Sequence, residues 1–212
     1  MNTKDKIRHE ALKLFSTQGY DAVSVRDIAR AVGVKESSLY NHFKNKQDIF
    51  DDILREYAQR TEAFFNQMNV TGEDKQFVVD TRTIEMYQSM TNKAFEAMCA
   101  PIFDFYFVDE INVMLRRMLT LEQFRSPELA KLYREISFDT SLDFQAQLFG
   151  ALMASGHFVS CDPYVLALAF FAPIFLIFTK FDNDEQQLDQ ARSLFLRHVR
   201  HFNSTYTKKA EV

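Results

Sequence analysis

The stretch of sequence that decides the fold runs from Ser24 to Lys46 and is SVRDIARAVGVKESSLYNHFKNK. Ser24 precedes a helical run and Asp27 stands three residues later, so the two residues can form a capping box that starts a helix. Gly33 follows the run and supplies the left-handed residue that ends it. A second short helix is predicted over about residues 36–42. The stretch is therefore predicted to be two helices joined by a tight turn.

Two helices around a short turn that contains glycine form the layout in which the second helix enters the major groove of DNA. An ordinary helical hairpin has the same spacing, so spacing alone leaves both interpretations open. In the second helix, Leu39 and Phe43 are expected to face inward. The surface left outside is then polar and aromatic, and consists of Ser37, Ser38, Tyr40, Asn41 and His42.

A longer run around this stretch favours the DNA-binding interpretation. Residues 19–50 have the sequence GYDAVSVRDIARAVGVKESSLYNHFKNKQDIF. This run closely resembles the DNA-binding domain of the TetR family of bacterial transcriptional regulators, and the resemblance covers roughly residues 5–55. The shared features are a glycine and an aromatic residue after helix one, the IA..VGV turn, the LY.HF recognition helix and the lysine that follows it. Lys35 and Glu36 depart from the commonest pattern, which bears on the operator sequence and leaves the fold expectation unchanged.

Charge is divided unevenly along the chain. The 212 residues carry a formal net charge of −4, yet residues 1–48 hold nine Lys or Arg against six Asp or Glu. The rest of the chain holds 16 basic against 23 acidic side chains. A local positive face on an otherwise acidic chain suits a protein that contacts DNA phosphates.

The resemblance implies two sets of DNA-binding residues. Positions that usually bond phosphates in the family are occupied here by Ser24, Arg26, Tyr40, His42 and Lys46. Such contacts supply affinity and salt dependence. Base edges should be within reach of the start and outer face of the recognition helix, where asparagine can pair with adenine and glutamate can accept from cytosine. That face carries Lys35, Glu36, Ser37, Ser38 and Asn41. A solvated helix surface is the alternative for each residue taken singly.

Helix breakers divide the remaining chain. Five Gly and four Pro are present, and most fall where the apolar periodicity starts or stops. Outside the two helices already described, the predicted helices span about residues 3–18, 46–69, 74–99, 127–155, 163–181 and 184–205. Pro101 is expected to stop the helix over 74–99. A further helical stretch follows it to residue 124, and a break near 104–109 is left open. Strand alternation is missing. The sequence predicts an all-α fold of about nine helices. Residues 1–48 form a three-helix DNA-binding domain, and residues 49–212 a helical effector-binding and dimerisation domain.

The last two predicted helices have the features of a dimer interface. In the family that this chain resembles, they pair with their copies in a second subunit as a four-helix bundle. The sequence supports this independently, because the 163–181 helix is apolar on every face and one subunit of this size has trouble covering it. The last helix carries apolar residues at steps of three and four. The residues expected in the homodimer interface are Phe171, Phe175, Leu188, Ala191, Phe195, His198 and Phe202.

Aromatic side chains are concentrated after residue 50, where 19 of the 22 Phe lie. Core packing explains any one of them, but phenylalanine and methionine together also make adaptable cavity walls. Regulators that this chain resembles bind a small effector among their middle helices, so the resemblance implies an apolar or amphipathic effector. The residues expected to contact it are Met86, Tyr87, Met90, Phe103, Phe107, Met114 and Met118.

Two features bear on location. Cys99 and Cys161 follow no signal peptide, which predicts a reducing cytoplasm. The longest apolar run, residues 164–178, contains Pro173 and is shorter than the roughly 18 to 20 residues of a membrane span. We therefore expect a cytoplasmic protein without a membrane partner, in which this run is buried in protein.

Catalytic and metal sites are incomplete in the sequence. His198 with His201, and His157 with Cys161, each have the spacing of half a metal site, but neither pair has an evident third ligand. A phosphate-binding glycine loop and a nucleophile elbow are also missing. We therefore expect a protein that is not an enzyme and that needs no metal or cofactor. For Cys99, a core thiol is favoured over a redox sensor.

These observations predict a ligand-responsive transcriptional regulator. The expected form is a homodimeric repressor that binds a palindromic double-stranded DNA operator and is released by a small-molecule effector. The alternative is an all-helical protein that binds a small molecule without specific DNA recognition. Binding to a specific operator distinguishes the two.

Overall fold

The structure is a computed structural model that describes residues 2–67, 79–182 and 185–208. Across these ranges the backbone is helical, and the β pairing is limited to one isolated antiparallel bridge between Phe158 and Thr207. The all-α prediction is confirmed. The described residues form eleven α-helices, more than the nine expected, because some predicted helices are interrupted.

Packing divides the chain into two compact units. The N-terminal unit comprises Met1–Met68 and Glu110–Ser137, and the C-terminal unit comprises Asn69–Asp109 and Phe138–Val212. These units follow packing, whereas the sequence-based division at residue 48 is a division by function. That functional division stays a prediction.

Six helices make up the N-terminal unit. Ile7, Phe15, Ile28, Leu39 and Phe50 are each at most 1% exposed, and they join the first four helices around one small core. The rings of Phe15 and Phe50 are 6.2 Å apart between centroids. The helices are α1 (Thr3–Gln18), α2 (Val25–Val32), α3 (Glu36–Leu39), α4 (Lys46–Gln67), α7 (Glu110–Glu122) and α8 (Pro127–Arg134).

The C-terminal unit has two apolar clusters. One joins Phe95 and Phe103 to Phe178 and Phe195, and the other is built around Phe149, Leu152 and their neighbours. Both clusters draw residues from the last two helices, so these helices form the centre of the unit. The helices are α5 (Thr81–Ser89), α6 (Asn92–Phe103), α9 (Thr140–Ala154), α10 (Pro163–Lys180) and α11 (Leu188–Tyr206).

The structure corrects the predicted helix over 74–99 and its stop. Helix α5 ends at Ser89, before Met90. Thr91 then caps α6 by accepting a hydrogen bond from the amide of Ala94 at 3.2 Å. Pro101 does not end α6, although it lacks an amide hydrogen. The helix continues into a π-helical segment, Asp104–Val108, and Phe103 before this segment is fully buried in the cluster that the last two helices share. The first residues of the predicted helix lie outside the described ranges.

The predicted helix over 127–155 is also interrupted. Pro127 starts α8 at the predicted position, and the hydroxyl of Ser126 caps it by accepting from the amide of Leu129 at 3.2 Å. A π-helical segment, Glu135–Asp139, then separates α8 from α9. The predicted helix over 46–69 is described as far as Gln67, and its last residues lie outside the described ranges.

Candidate nucleic-acid interface

The capping box of α2 forms as predicted. The Ser24 hydroxyl accepts from the amide of Asp27 at 3.2 Å, and the Asp27 carboxylate accepts from the amide of Ser24 at 3.0 Å. Hydrogen bonds from Ser24 hold the pKa of Asp27 below its usual value. Gly33 has a φ of 80° and donates to the carbonyl of Ala29, which ends α2 in the left-handed conformation. The start and end of α2 are thus fixed locally.

The recognition helix is shorter than predicted. It covers Glu36–Leu39, and the chain continues as hydrogen-bonded turns in which the amides of His42 and Phe43 donate to the carbonyl of Leu39 at 3.0 and 3.1 Å. Leu39 and Phe43 are buried, as expected. The side chains of Tyr40, Asn41 and His42 consequently remain on the outside.

The predicted base-reading residues lie together on α3 and the turn after it. Lys35, Ser37 and Asn41 are exposed, and Ser38 is half-buried. Glu36 lies 3.6 Å from the guanidinium of Arg26, an ion pair that joins the start of α2 to α3. Arg26 is nevertheless 77% exposed, so its side chain remains accessible to a phosphate.

Lys46 makes contacts within its own chain. Its ammonium group donates to the carbonyls of Tyr20 and Val23 at 2.7 and 2.8 Å, and it lies 4.1 Å from the centroid of the Tyr20 ring. These contacts use two of the three donors of the ammonium group and hold the start of α4 against the loop between α1 and α2. Phosphate contact by Lys46 stays a prediction.

A buried carboxylate on α4 has three cationic partners. Asp52 on α4 accepts hydrogen bonds from Lys4 at 3.0 Å, Arg8 at 2.9 Å and Arg55 at 3.1 Å. Burial raises the pKa of Asp52, but the hydrogen bonds from Lys4 and Arg55 and the charge of Arg8 outweigh it and lower the pKa overall. The network joins α1 to α4. A second buried acid, Glu122 on α7, accepts from the amide of Tyr20 at 2.7 Å.

The sequence analysis missed both buried acids, although a signal was present. Asp52 falls between Ile49 and Ile53 on the apolar face of α4. Glu122 lies three residues after Leu119 on the buried stripe of α7. An acid on an apolar stripe needs a partner, which is the signal that could have identified them.

The residues predicted to bind an effector are distributed over both units. Met114 and Met118 are buried on α7, whereas Tyr87, Met90, Phe103 and Phe107 belong to or pack against the first apolar cluster of the C-terminal unit. Phe103 and Phe107 stack with centroids 4.1 Å apart. Met86 is 37% exposed. A surface cavity of about 350 Å³ is lined by Met90 with His157, Asn203 and four other residues.

The residues of the predicted dimer interface differ in exposure. Ala191, Phe195 and Phe202 on α11 are buried in the clusters of their own chain, and their place in an interface stays a prediction. Phe171, Phe175, Leu188 and His198 are half-buried. The His198 ring pairs with the carbonyl of Phe170 at 2.8 Å, and burial lowers the pKa of His198.

An apolar surface also lies on α10, the helix whose sequence is apolar on every face. Tyr164, Val165, Leu168 and Leu176 are exposed there, and Leu194 is exposed on α11. The helix has 18 residues and is long and apolar enough to cross a membrane, with 28% of it buried within the protein. The expectation that this run is buried is thus met on one side of the helix only.

The two cysteines differ in environment. Cys99 is buried, which raises the pKa of its thiol to about 12, and Cys161 is exposed. Within the described ranges, no group of three or more His, Cys, Asp or Glu side chains could hold a metal ion.

A capped first helix, a glycine turn and a short second helix with an exposed polar face define a helix-turn-helix DNA-binding protein. The family model described as "Bacterial regulatory proteins, tetR family" matches residues 7–53. The negative transcriptional regulator IcaR of the biofilm operon icaADBC, from Staphylococcus aureus, is 31% identical over 160 residues, which cover 67% of this chain and 76% of IcaR. The chain belongs to the TetR family.

Solved structures support the same fold over nearly the whole chain. The triclosan complex of SmeT, the repressor of the Stenotrophomonas maltophilia multidrug efflux pump SmeDEF, matches with a TM-score of 0.66 at 16% identity, covering 98% of this chain and 93% of SmeT. The fatty acid degradation regulator FadR from Bacillus halodurans matches with a TM-score of 0.58 at 20% identity, covering 92% of this chain and 95% of FadR.

Proposed function

We propose that two copies of this chain bind a palindromic operator, repress transcription from it, and are released by a small apolar or amphipathic effector. The observation that carries the proposal is the exposed polar face of α3, held beside the capped start of α2 in a chain of this family. The relative IcaR is named as a negative regulator, which supports repression. A cytoplasmic location follows from this proposal, because the operator lies there.

Arg26, Tyr40 and His42 form the proposed phosphate-binding set. All three are exposed, and each offers a cation or a hydrogen-bond donor. Lys35, Ser37, Ser38 and Asn41 form the proposed base-reading set, with Glu36 available where its pairing with Arg26 permits. Ser24 caps α2, and its hydroxyl donates a hydrogen bond to the carboxylate of Asp27, so a phosphate contact by Ser24 would compete with that bond.

Fluorescence anisotropy tests DNA binding. The probes are duplexes tiled across the DNA that flanks the coding region, with a scrambled control, at two salt concentrations. Saturable binding to one tile, tighter than the ~10⁻⁴ to 10⁻⁶ M of non-specific contact, supports the proposal. Arg26→Ala should reduce the salt slope by about two, because one phosphate contact is lost in each of the two copies, whereas the matched control Lys131→Ala, on α8, should leave it unchanged. Equal weak binding to every tile favours the small-molecule-binding alternative.

The exposed face of α10 supports the homodimer. A contiguous apolar surface of this kind usually marks an interface. Leu176 is 64% exposed, so Leu176→Glu should convert a dimer into monomers without disturbing the core. Leu121→Glu, at an exposed leucine on α7, is the control. Light scattering after size-exclusion chromatography measures the mass, and a wild-type protein that is monomeric at all concentrations contradicts the proposal.

The aromatic cluster of the C-terminal unit supports an apolar effector. Phe103, Phe107 and Phe178 form a continuous group of rings, with Phe107 and Phe178 at 4.3 Å between centroids. The SmeT structure contains triclosan, so triclosan is a suitable first probe, with decanoate as a non-aromatic amphipathic comparison. Either compound should lower the anisotropy of the operator complex. Displacement by neither at its solubility limit contradicts an effector of these two kinds.

A further inference from the structure

The loop between α1 and α2 is held by the end of α7. The amide of Tyr20 donates to Oε1 of Glu122 at 2.7 Å, and the carboxylate is only 4% exposed. Gly19 precedes this amide with a φ of 79°, a left-handed backbone conformation that glycine adopts without strain. A buried carboxylate bonded to a backbone amide fixes that amide in position.

Arg125 lies close to both Tyr20 and Glu122. Its guanidinium lies 4.1 Å from the centroid of the Tyr20 ring and 3.2 Å from Oε2 of Glu122, close enough for an ion pair without hydrogen-bond geometry. The Lys46 ammonium lies 4.1 Å from the same ring. One tyrosine ring therefore has two cations within contact distance, an arrangement that is attractive at partly buried sites.

Only a few residues separate Tyr20 from the start of α2. Lys46 donates to the carbonyls of Tyr20 and Val23, the two ends of a short loop segment. The next residue, Ser24, caps α2, and Arg26 follows in the first turn. A displacement of the Tyr20 amide is thus transmitted to the start of α2 and to the side chain that we assign to phosphate contact.

We propose that Glu122 is a positioning residue for operator binding: through the amide of Tyr20 it sets the loop that places the start of α2. Residue 122 lies outside the segment 7–53 that the family model matches. The inference rests on the proposed DNA-binding function. A change in this position should affect both the affinity and the preferred distance between half-sites, because the two DNA-binding domains of a dimer must contact successive turns of DNA at the same time.

The test uses the full-length protein and a duplex selected by it from a random library. Affinity is measured by anisotropy on that duplex and on versions lengthened or shortened by one base pair at the centre. The variants are Glu122→Ala, Glu122→Gln and Glu122→Met, with Glu110→Gln, at an exposed glutamate on the same helix, as the control. Thermal unfolding by circular dichroism is measured for each.

Glu122→Ala should bind the selected duplex at least about tenfold more weakly and lose much of the discrimination against altered spacing. Glu122→Gln keeps an acceptor for the Tyr20 amide, so it should restore most of the affinity and stay within about fivefold of wild type. The control should match wild type. A role in stability alone would lower the unfolding temperature without changing the spacing preference.

The outcomes separate the two levels of the proposal. Unchanged affinity and spacing preference in a folded Glu122→Ala protein overturn the inference and leave the proposed function standing. If Glu122→Ala does not fold, Glu122→Met decides, because it keeps the volume of the side chain but offers no oxygen to the Tyr20 amide, and an affinity and spacing preference identical to wild type in that variant overturn the inference. Failure of the wild type to select any duplex overturns the proposed function and the inference with it.

Discussion

The interiors of the two units are stabilised by different chemistry. Of the five polar side chains that are buried in the described part of the chain, Ser16, Asp52, Asn112 and Glu122 lie in the N-terminal unit, and only Thr83 lies in the C-terminal unit. The C-terminal unit instead packs ring against ring, as in the stacked pair Phe103 and Phe107.

This difference separates two kinds of precision. Ion pairs and hydrogen bonds depend on direction, so the contacts of Asp52 and Glu122 hold α1 and its loop in one geometry. Apolar packing tolerates changes of shape provided that the volume is kept. A DNA-reading surface needs the first property, and a site for an apolar ligand benefits from the second.

The largest expected effect is in the C-terminal unit. Phe103→Ala removes a fully buried ring and should reduce the free energy of unfolding by about 3 to 5 kcal/mol. Phe103→Leu should cost less than Phe103→Ala because it keeps more of the volume. Phe124→Ala, at a ring that is 86% exposed, is the control. Denaturant unfolding followed by circular dichroism measures all three, and equal losses for Ala and Leu would contradict tolerant packing.

In the N-terminal unit, a change that keeps the volume should still be costly. Asp52→Asn preserves shape but removes the charge that Lys4, Arg8 and Arg55 share, and we expect a loss of about 2 kcal/mol. Asp51→Asn, at an exposed position of the same helix, should change the unfolding free energy by less than about 0.5 kcal/mol. If Asp52→Asn and Asp51→Asn unfold with equal free energies, the ion pairs and hydrogen bonds of Asp52 do not stabilise the N-terminal unit as we expect.

The same network should give a characteristic pH dependence. The pKa of Asp52 is lower in the folded chain than in the unfolded chain, so its stabilisation is complete above the unfolded value of about 3.9 and is lost as the pH falls through the folded value. The stability difference between wild type and Asp52→Asn should therefore shrink below about pH 4. Denaturant titrations from neutral to acid pH measure it. A constant difference contradicts the lowered pKa.

Lys46→Ala distinguishes a structural lysine from one that binds phosphate. Loss of its bonds to the carbonyls of Tyr20 and Val23 should reduce stability by about 1 to 2 kcal/mol. The salt slope of operator binding should stay the same, unlike that of Arg26→Ala. Lys44→Ala, at an exposed lysine nearby, is the control for stability. A slope reduced by about two, one contact in each copy, would show that Lys46 binds phosphate.

The smallest expected effect is local. Ser24→Ala removes the side chain that caps α2 and should cost about 1 kcal/mol. Ser37→Ala, at an exposed serine within α3, should leave the unfolding free energy within about 0.5 kcal/mol of wild type. Thermal unfolding of the two variants side by side measures the difference, and equal midpoints would show that the cap is dispensable.

Features written in adjacent residues could be predicted from the sequence. Ser24, Asp27 and Gly33 fix both ends of α2, and Asp162 with Pro163 starts α10, because caps and turns depend on neighbours a few residues away. The inward direction of Leu39 and Phe43 also followed from helical spacing. These local rules sufficed for the fold class and for the exposure of the side chains on α3 and the turn after it.

Features that depend on distant partners could not be predicted in the same way. Lys46 bonds a loop that lies 23 to 26 residues earlier in the chain, and Glu122 bonds an amide 102 residues away. The side of α11 that faces its own chain depends on Phe103 and Phe149, which no periodicity within α11 reveals. Tertiary packing likewise carried α6 through Pro101.

The shortness of α3 has a consequence for how much information one head can extract from DNA. A helix of four residues brings few side chains to base edges, and each base pair that is specified makes a random match fourfold rarer. A few specified pairs recur very often among the ~10⁶ or more sites of a genome. When two DNA-binding domains bind together, the probability of a random match is the square of that for one domain. The need to distinguish one site in a genome therefore favours an operator made of two half-sites.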